Sequence, residues 1–338
     1  MPESLAQDPA LPAMTLPDVM RLLETDLDRF EAALESLDRV DIPLSSAILD
    51  HVLSLRGKRA RPLLLMLVAR LGEKRDDDEV LWSSVALELI HTASLLHDDC
   101  LDGATLRRGL PTVNHRWGSQ AAILMGDFLF TKGFEILCEH RLVHALRIMS
   151  LHTYRMTCGM NREYAAWRNP TITPADYLRI VDEKTAALFC AACEIGGVLA
   201  SLEDGLIAQL SAFGRDLGHA FQIIDDIFDF TGDPLEIGKP VGTDFRLGFA
   251  TLPLIHALEN GNGRRATRVA SIFKKKKISD EEWEEARGFV LESGGVEAAR
   301  ERALSYAISA RARLAVLNGS DGAAPLHATV EYMIARGR

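Results

Sequence analysis

Two aspartate clusters carry most of the chemistry this sequence can do. Asp98, Asp99 and Asp102 lie in LLHDDCLDGATLRRG, and Asp225, Asp226 and Asp229 lie in FQIIDDIFDF, each with the spacing D-D-x-x-D. On a helix, residues four apart share a face, so Asp98 and Asp102 point the same way one turn apart. The same holds for Asp225 and Asp229. Carboxylates so close raise one another's pKa or destabilise the helix unless a cation neutralises them. Mg²⁺ suits the task, because it binds through one or two carboxylates and completes its shell with water and phosphate oxygens. One such motif alone is as easily a solvated acidic patch. Two copies, both flanked by Leu, Ile and Phe, are not, because carboxylates in apolar surroundings are costly without compensation.

Basic residues accompany both clusters. Arg107 and Arg108 follow the first, beyond Gly103, where its helix should end. Gly57-Lys58-Arg59-Ala60-Arg61-Pro62 opens an earlier helix, Lys184-Thr185 lies on another, and Lys239 sits in a glycine-rich stretch after the second cluster. Arg offers a fork of donors to phosphate oxygens, and Lys a mobile point charge. Acids for a metal and bases for phosphate together describe a diphosphate site bounded by apolar helices.

The segments that must position these groups read as helices. Leu16–Leu37, Leu63–Leu71, Val80–Leu96, Ala121–Leu137, Ala186–Leu199 and Leu206–Phe230 are apolar at helical spacing. Ser279 with Glu282 forms a capping-box pattern, and Thr173-Pro174-Ala175-Asp176 marks a second helix start. Strand signals are weak, and none of the loops looks like a domain linker. The expectation is an all-α fold of about ten or more helices, forming one domain over residues 16–338 behind a flexible tail at 1–15.

Composition narrows the class. The chain has 338 residues, 47% hydrophobic and 25% charged, an ordinary globular balance. A net charge of −10 argues against broad nucleic-acid binding. Five cysteines without a repeated spacing argue against a disulfide framework. Cys190 and Cys193 form a C-x-x-C, but their apolar setting reads as buried thiols. The four lysines 274–277 read as a solvated helix end. The N-terminus lacks a signal-peptide pattern, and no stretch shows the roughly 18 uninterrupted apolar residues of a membrane span. A soluble, cytoplasmic protein with at most peripheral membrane contact is expected.

The chain resembles the trans-polyprenyl diphosphate synthases of the isoprenoid synthase family. The matching residues are GKRARP (57–62), HTASLLHDDCLDGATLRRG (91–109), GDFLF (126–130), Lys184-Thr185 and FQIIDDIFDFTGDPLEIGKPVGTD (221–244), in family order. The resemblance implies a helical bundle with a deep central cavity, usually a homodimer. It implies an enzyme that ionises an allylic diphosphate with about three Mg²⁺ ions and condenses it with isopentenyl diphosphate. It implies that Asp98 and Asp102 bind two of the ions and Asp225 the third, with Asp99, Asp226 and Asp229 completing the metal set. Arg107, Lys184 with Thr185, Gln222 and Lys239 are then the allylic diphosphate's partners. Lys58, Arg61, His91 and Arg108 are those of isopentenyl diphosphate.

Two departures from the family pattern stand out. Phe249 takes the place of a lysine two residues before Thr251, so a cation is lost unless Arg246 substitutes. Gly159-Met160-Asn161-Arg162-Glu163 stands where Gly-Glu-x-x-Gln is usual. Three other readings fit less well. A terpene cyclase usually carries Asn/Asp-x-x-Ser/Thr-x-x-x-Glu as its second motif, a noncatalytic partner subunit does not need two complete aspartate clusters, and a helical scaffold leaves the acids unexplained. In the family, an aromatic five residues before the first aspartate accompanies short products. Here that residue is Ala93, followed by Ser94. Helical periodicity puts Ala93 and Leu89 or Ile90 on the wall along which the product grows, which points to roughly six to eight isoprene units rather than farnesyl or geranylgeranyl diphosphate.

Overall fold

Capping side chains start the helices at the positions their sequence signals mark. In a computed structural model, which describes residues 14–37, 41–55, 57–73, 75–232, 241–261, 263–317, 320 and 322–335, Thr173 accepts the Asp176 N–H at 3.2 Å and Asp176 accepts the Thr173 N–H in return. Ser279 and Glu282 repeat this box. Gly103, at φ 62°, ends the helix carrying the first aspartate cluster. Residues 1–13 of the expected tail lie outside the described residues.

In chain order the helices are α1 (Leu16–Leu22), α2 (Glu24–Glu35), α3 (Pro43–Ser54), α4 (Ala60–Ala69), α5 (Asp77–Asp102), α6 (Val113–Trp117), α7 (Ser119–Glu139), α8 (Val143–Ala165), α9 (Pro174–Val181), α10 (Ala187–Leu199), α11 (Asp204–Thr231), α12 (Thr243–Leu247), α13 (Leu252–Asn260), α14 (Arg264–Phe273), α15 (Asp280–Glu292), α16 (Gly295–Arg313) and α17 (Ala323–Ala335). Among the described residues the only strands are Leu106–Arg107 and Leu110–Pro111, an antiparallel pair between α5 and α6. The fold is all-α, as expected.

Three details differ from the periodicity. The first segment is broken at Leu23 (φ −104°, ψ 9°), which divides α1 from α2. Asp76 accepts the N–H groups of Asp78 and Glu79 and so starts α5 ahead of its apolar run. A five-residue π-helical turn, Asp182–Ala186, joins α9 to α10 and places Lys184 and Thr185 on a bulge.

Close backbone contact builds the centre. α10 lies among α4, α8 and α11, α5 runs along α7, and α11 packs on α16. The small residues of α10 and α11 make this possible. A Cβ on Gly196 meets the Leu65 carbonyl oxygen at 2.7 Å, and one on Gly214 meets that of Phe189 at 2.6 Å. Cys190 and Cys193 are buried there, and burial pushes the Cys190 thiol up to about 12. By length and composition α5 could cross a bilayer, yet 72% of its apolar window is buried in the protein. A second apolar cluster, including Phe230, Phe245, Phe273 and Trp283, ties the end of α11 to α12, α14 and α15.

Gly214→Ala should therefore lower the unfolding free energy by about 1–3 kcal/mol, the usual cost of overpacking. Gly205, in the first turn of α11, has open space around its Cβ position. Gly205→Ala should be neutral or stabilise by up to about 1 kcal/mol. Denaturant titration checks both, with an unchanged slope showing that only the native state moved.

Candidate active site

The two aspartate clusters approach from α5 and α11 across a cleft of about 130 Å³, and the π-turn lies between them. Asp102, Lys184, Thr185, Gln222 and Asp226 line this cleft. Asp98 joins them through Lys184, whose Nζ stands 3.6 Å from its Oδ1 and also donates to Glu163. Thr185 donates to Gln222 at 2.8 Å, and Gln222 donates to Asp226 at 2.8 Å. The expected partners of the allylic diphosphate are thus gathered in one place, apart from Lys239, which lies outside the described residues, and Arg107, which borders the opposite face of α5.

Within each cluster the carboxylates divide. Asp99 was expected among the metal ligands, but it turns to the other face of α5 and is 3% exposed. It accepts Nε of Arg107 at 2.8 Å and Nη2 at 2.7 Å. The one-residue offset from Asp98 rotates it away, as helical geometry requires. Asp226 accepts the Tyr177 hydroxyl at 2.5 Å, and burial, with Asp244 nearby, pushes its carboxyl well above the usual range. Asp229 is fully buried and accepts the N–H groups of Thr243 and Asp244, each at 3.0 Å. It caps α12 rather than facing the cleft. Leu89, expected beside Ala93, lies instead in an apolar pocket on the Asp99 face with Leu96 and Arg107. Ile90 packs where a Cβ on Gly133 of α7 would come within 2.9 Å.

A second basic group lies below the cleft. Arg61 donates Nη1 to His91 Nε2 at 3.0 Å and its guanidinium stacks 4.6 Å from the Phe189 ring centroid. Burial, reinforced by Arg61 and Arg108, pushes the His91 pKa well below its usual value, so the neutral ring accepts that bond. Burial also brings Arg61 down to about 10, opposed by Glu88 and Asp225. Arg61 Nε has no hydrogen-bond partner. Arg108 reaches the Leu55 carbonyl oxygen at 2.6 Å from a left-handed backbone, φ 53°. Lys58 is exposed and lies over Tyr332 of α17.

The donor chemistry fits a hard divalent cation. Burial first, then Asp98, Glu163 and Asp244, push the Asp102 carboxyl up to about 7 despite Lys184, an excess of negative charge that a bound divalent cation would relieve. Among the described residues no three His, Cys, Asp or Glu side chains form a closed metal cage. An ion held here would take few protein ligands and so leave room for water and phosphate oxygens, the habit of Mg²⁺.

Phe249 lines the cleft wall beside Asp244 and Thr251. Arg246 does not substitute for the lost cation. It donates to Asp280 at 2.7 Å and to the Ile278 carbonyl at 2.9 Å, away from the cleft. Three titratable cleft residues are absent from the sequence candidates: Glu163, Tyr177 and Asp244. Glu163 and Asp244 lay inside the quoted motifs, whereas Tyr177 carried no signal beyond an apolar helical position.

Comparison with known proteins finds a matching family and similar folds. The polyprenyl synthetase family model matches residues 42–290. The chain is 35% identical over 300 residues to a nonaprenyl diphosphate synthase of Mycobacterium tuberculosis, covering 89% of each chain. It is also 35% identical to a geranylgeranyl diphosphate synthase of Methanosarcina mazei, over 83% of this chain and 86% of that one. A polyprenyl synthase of Caulobacter crescentus, solved in complex with calcium and isoprenyl diphosphate, superposes with TM-score 0.91 at 32% identity, covering 97% and 99% of the two chains.

The cleft wall yields a binding test. Phe249→Lys should tighten the binding of Mg²⁺ with inorganic pyrophosphate by up to about fivefold, the effect of one added ion pair near the surface. Arg246→Ala should leave that affinity unchanged and lower stability by about 1 kcal/mol through its lost hydrogen bonds. Titration calorimetry and thermal unfolding read the two effects. An unchanged affinity for Phe249→Lys places this wall outside the phosphate's reach.

Proposed function

Because this chain belongs to the polyprenyl synthetase family, we propose that it condenses an allylic diphosphate with isopentenyl diphosphate in trans head-to-tail elongation, using Mg²⁺. The observation that carries this reading is the placement of Lys184 between the acids of α5 and those of α11, with the Arg61–His91–Arg108 group below. One group suits a diphosphate that departs, the other a diphosphate that stays.

We assign Mg²⁺ to Asp98, Asp102 and Asp225, a reading supported by Asp102 lining the cleft and Asp98 standing 3.6 Å from Lys184. When bound, the ions stabilise the charge that grows on the departing diphosphate. Lys184 faces the same phosphate and stays charged, because Glu163 and Asp98 raise its pKa although burial opposes this. Arg107 stays on the opposite face of α5, held by Asp99, so the cation assigned to this phosphate is Lys184. Arg61 and Arg108, with Lys58 at the rim, hold isopentenyl diphosphate so that its alkene meets the allylic carbon. Apolar walls, Phe249 among them, exclude water that would trap the cation.

The small pair Ala93 and Ser94 on α5, both buried, puts no bulky side chain about one turn before Asp98 and supports products of roughly six to eight isoprene units. The nonaprenyl-forming relative points the same way, and the geranylgeranyl-forming relative makes a short product the second reading. We further propose a homodimer. α7 exposes Ile123 (46%) and Leu124 (68%), and the neighbouring α8 exposes Leu151 (56%) and Tyr154 (70%), an apolar face that a second copy can cover.

Incubation with Mg²⁺, isopentenyl diphosphate and a set of allylic primers, followed by product sizing, tests the reaction directly. Asp98→Ala or Asp225→Ala should reduce turnover by about two to four orders of magnitude with helical content intact, the scale of a lost charge-stabilising group. Near-normal turnover in either folded variant sinks the assignment. In the same assay Ala93→Phe should shorten the product without abolishing turnover, because a ring there obstructs the tail and not the metal ligands. A wild type that stops at farnesyl or geranylgeranyl diphosphate overturns the long-chain reading.

A further inference from the structure

The π-turn Asp182–Ala186 is a junction. Its four consecutive polar side chains engage four different helices. Asp182 is bound by Arg155 of α8 at 2.8 Å and by His219 of α11 at 3.3 Å, with Arg215 of α11 at 3.9 Å. Glu183 is bound by Arg162 of α8 at 2.7 Å and Arg179 of α9 at 3.2 Å. Lys184 meets Glu163 of α8 and Asp98 of α5, and Thr185 meets Gln222 of α11.

Two glycines let neighbouring helices press against the turn. A Cβ on Gly159 of α8 would stand 2.4 Å from the Lys184 backbone nitrogen, and one on Gly218 of α11 would stand 2.7 Å from the Ala186 Cα. π-Turns are rare and form mostly at functional sites, so something must hold this one against reversion to α-helix. The Glu183 pairs are poor candidates, since Arg162 and Arg179 are 43% and 61% exposed and such surface pairs contribute little. The Asp182 cradle is different. The His219 side chain is 5% exposed, and its ring stacks on Tyr306 of α16 at 4.5 Å and 9°. Arg155 is in turn contacted by His152 Nδ1 at 3.4 Å. Burial alone raises the Asp182 pKa, but the His219 hydrogen bond and the Arg155 charge outweigh it and keep the carboxylate ionised.

We infer that Asp182, held by Arg155 and His219, is the positioning residue that fixes the π-turn and so sets Lys184 against the diphosphate. Asp182 does not line the cleft and acts only through the turn. This rests on the reading of Lys184 as a diphosphate partner.

A double-mutant cycle on the full chain tests it, with Asp182→Asn, Lys184→Ala and the double variant. The measurements are kcat, KM for each substrate, and affinity for inorganic pyrophosphate with Mg²⁺ by calorimetry. Asp182→Asn should lower kcat/KM for the allylic substrate and weaken pyrophosphate binding, each by about tenfold, with KM for isopentenyl diphosphate within about twofold; on the Lys184→Ala background it should cost less than about twofold. Full additivity, or wild-type behaviour of Asp182→Asn, overturns the inference and leaves the assigned reaction standing. Wild-type behaviour of Lys184→Ala overturns both. Should Asp182→Asn fold poorly, His219→Gln and His219→Leu decide the question. Gln keeps a donor toward Asp182 and should retain activity within about threefold, whereas Leu should reproduce the tenfold loss. Equal losses in the two reject the cradle.

Discussion

An uncompensated excess of carboxylate in a partly dry cleft is the constraint on which the rest of the structure depends. Asp98, Asp102, Glu163, Asp226 and Asp244 are brought together where water is scarce, and the upward shift of Asp102 to about 7 registers the cost. Such a cluster persists only if the surrounding fold is stable enough to impose it. The packing meets that demand by backbone contact. Glycines at α10 and α11 bring helices so close that an added Cβ would meet a neighbouring carbonyl oxygen, and the long helices α5 and α11 become rigid supports.

That rigidity lets neighbouring aspartates do different work. The helices turn one carboxylate of the first D-D-x-x-D and two of the second toward structural partners. Asp99 takes Arg107, Asp226 takes Tyr177, and Asp229 takes the start of α12. The cleft residue Asp244 owes its position to Asp229, because the capped helix carries it. Charge density at the cleft is therefore set by orientation as much as by composition.

How much of this was legible in the sequence follows from the range of each interaction. Helix starts at Thr173 and Ser279, the stop at Gly103 and the apolar runs of α5, α7 and α11 are local, and local patterns announce them. The gathering of Asp102, Lys184, Thr185, Gln222 and Asp226 was legible through resemblance to a family pattern and not through spacing alone. The inward or outward turn of Asp99 and Asp229 was not, since it depends on Arg107 and α12 arriving from elsewhere in the chain. Nor was the outward course of Arg246, which Asp280 and the Ile278 carbonyl determine across more than thirty residues. Tyr177 belongs to the same class: its apolar ring fits a helix face, and only tertiary contact shows its hydroxyl reaching Asp226.

The π-turn also bears on how the gene can change. A π-turn holds one residue more than the α-helical turn it replaces. Removing a single residue within Asp182–Ala186 lets α9 and α10 fuse into one regular helix, with no proline inside to forbid it. Each residue of an α-helix turns the chain by about 100°. The π-turn absorbs that rotation, so a single in-frame codon loss there leaves α9 and α10 in nearly the same azimuth but removes the bulge and moves Lys184 and Thr185 off the cleft. The expressed chain keeps its helical signature while its chemistry falls silent, so this five-residue interval tolerates substitution far better than it tolerates a change in length.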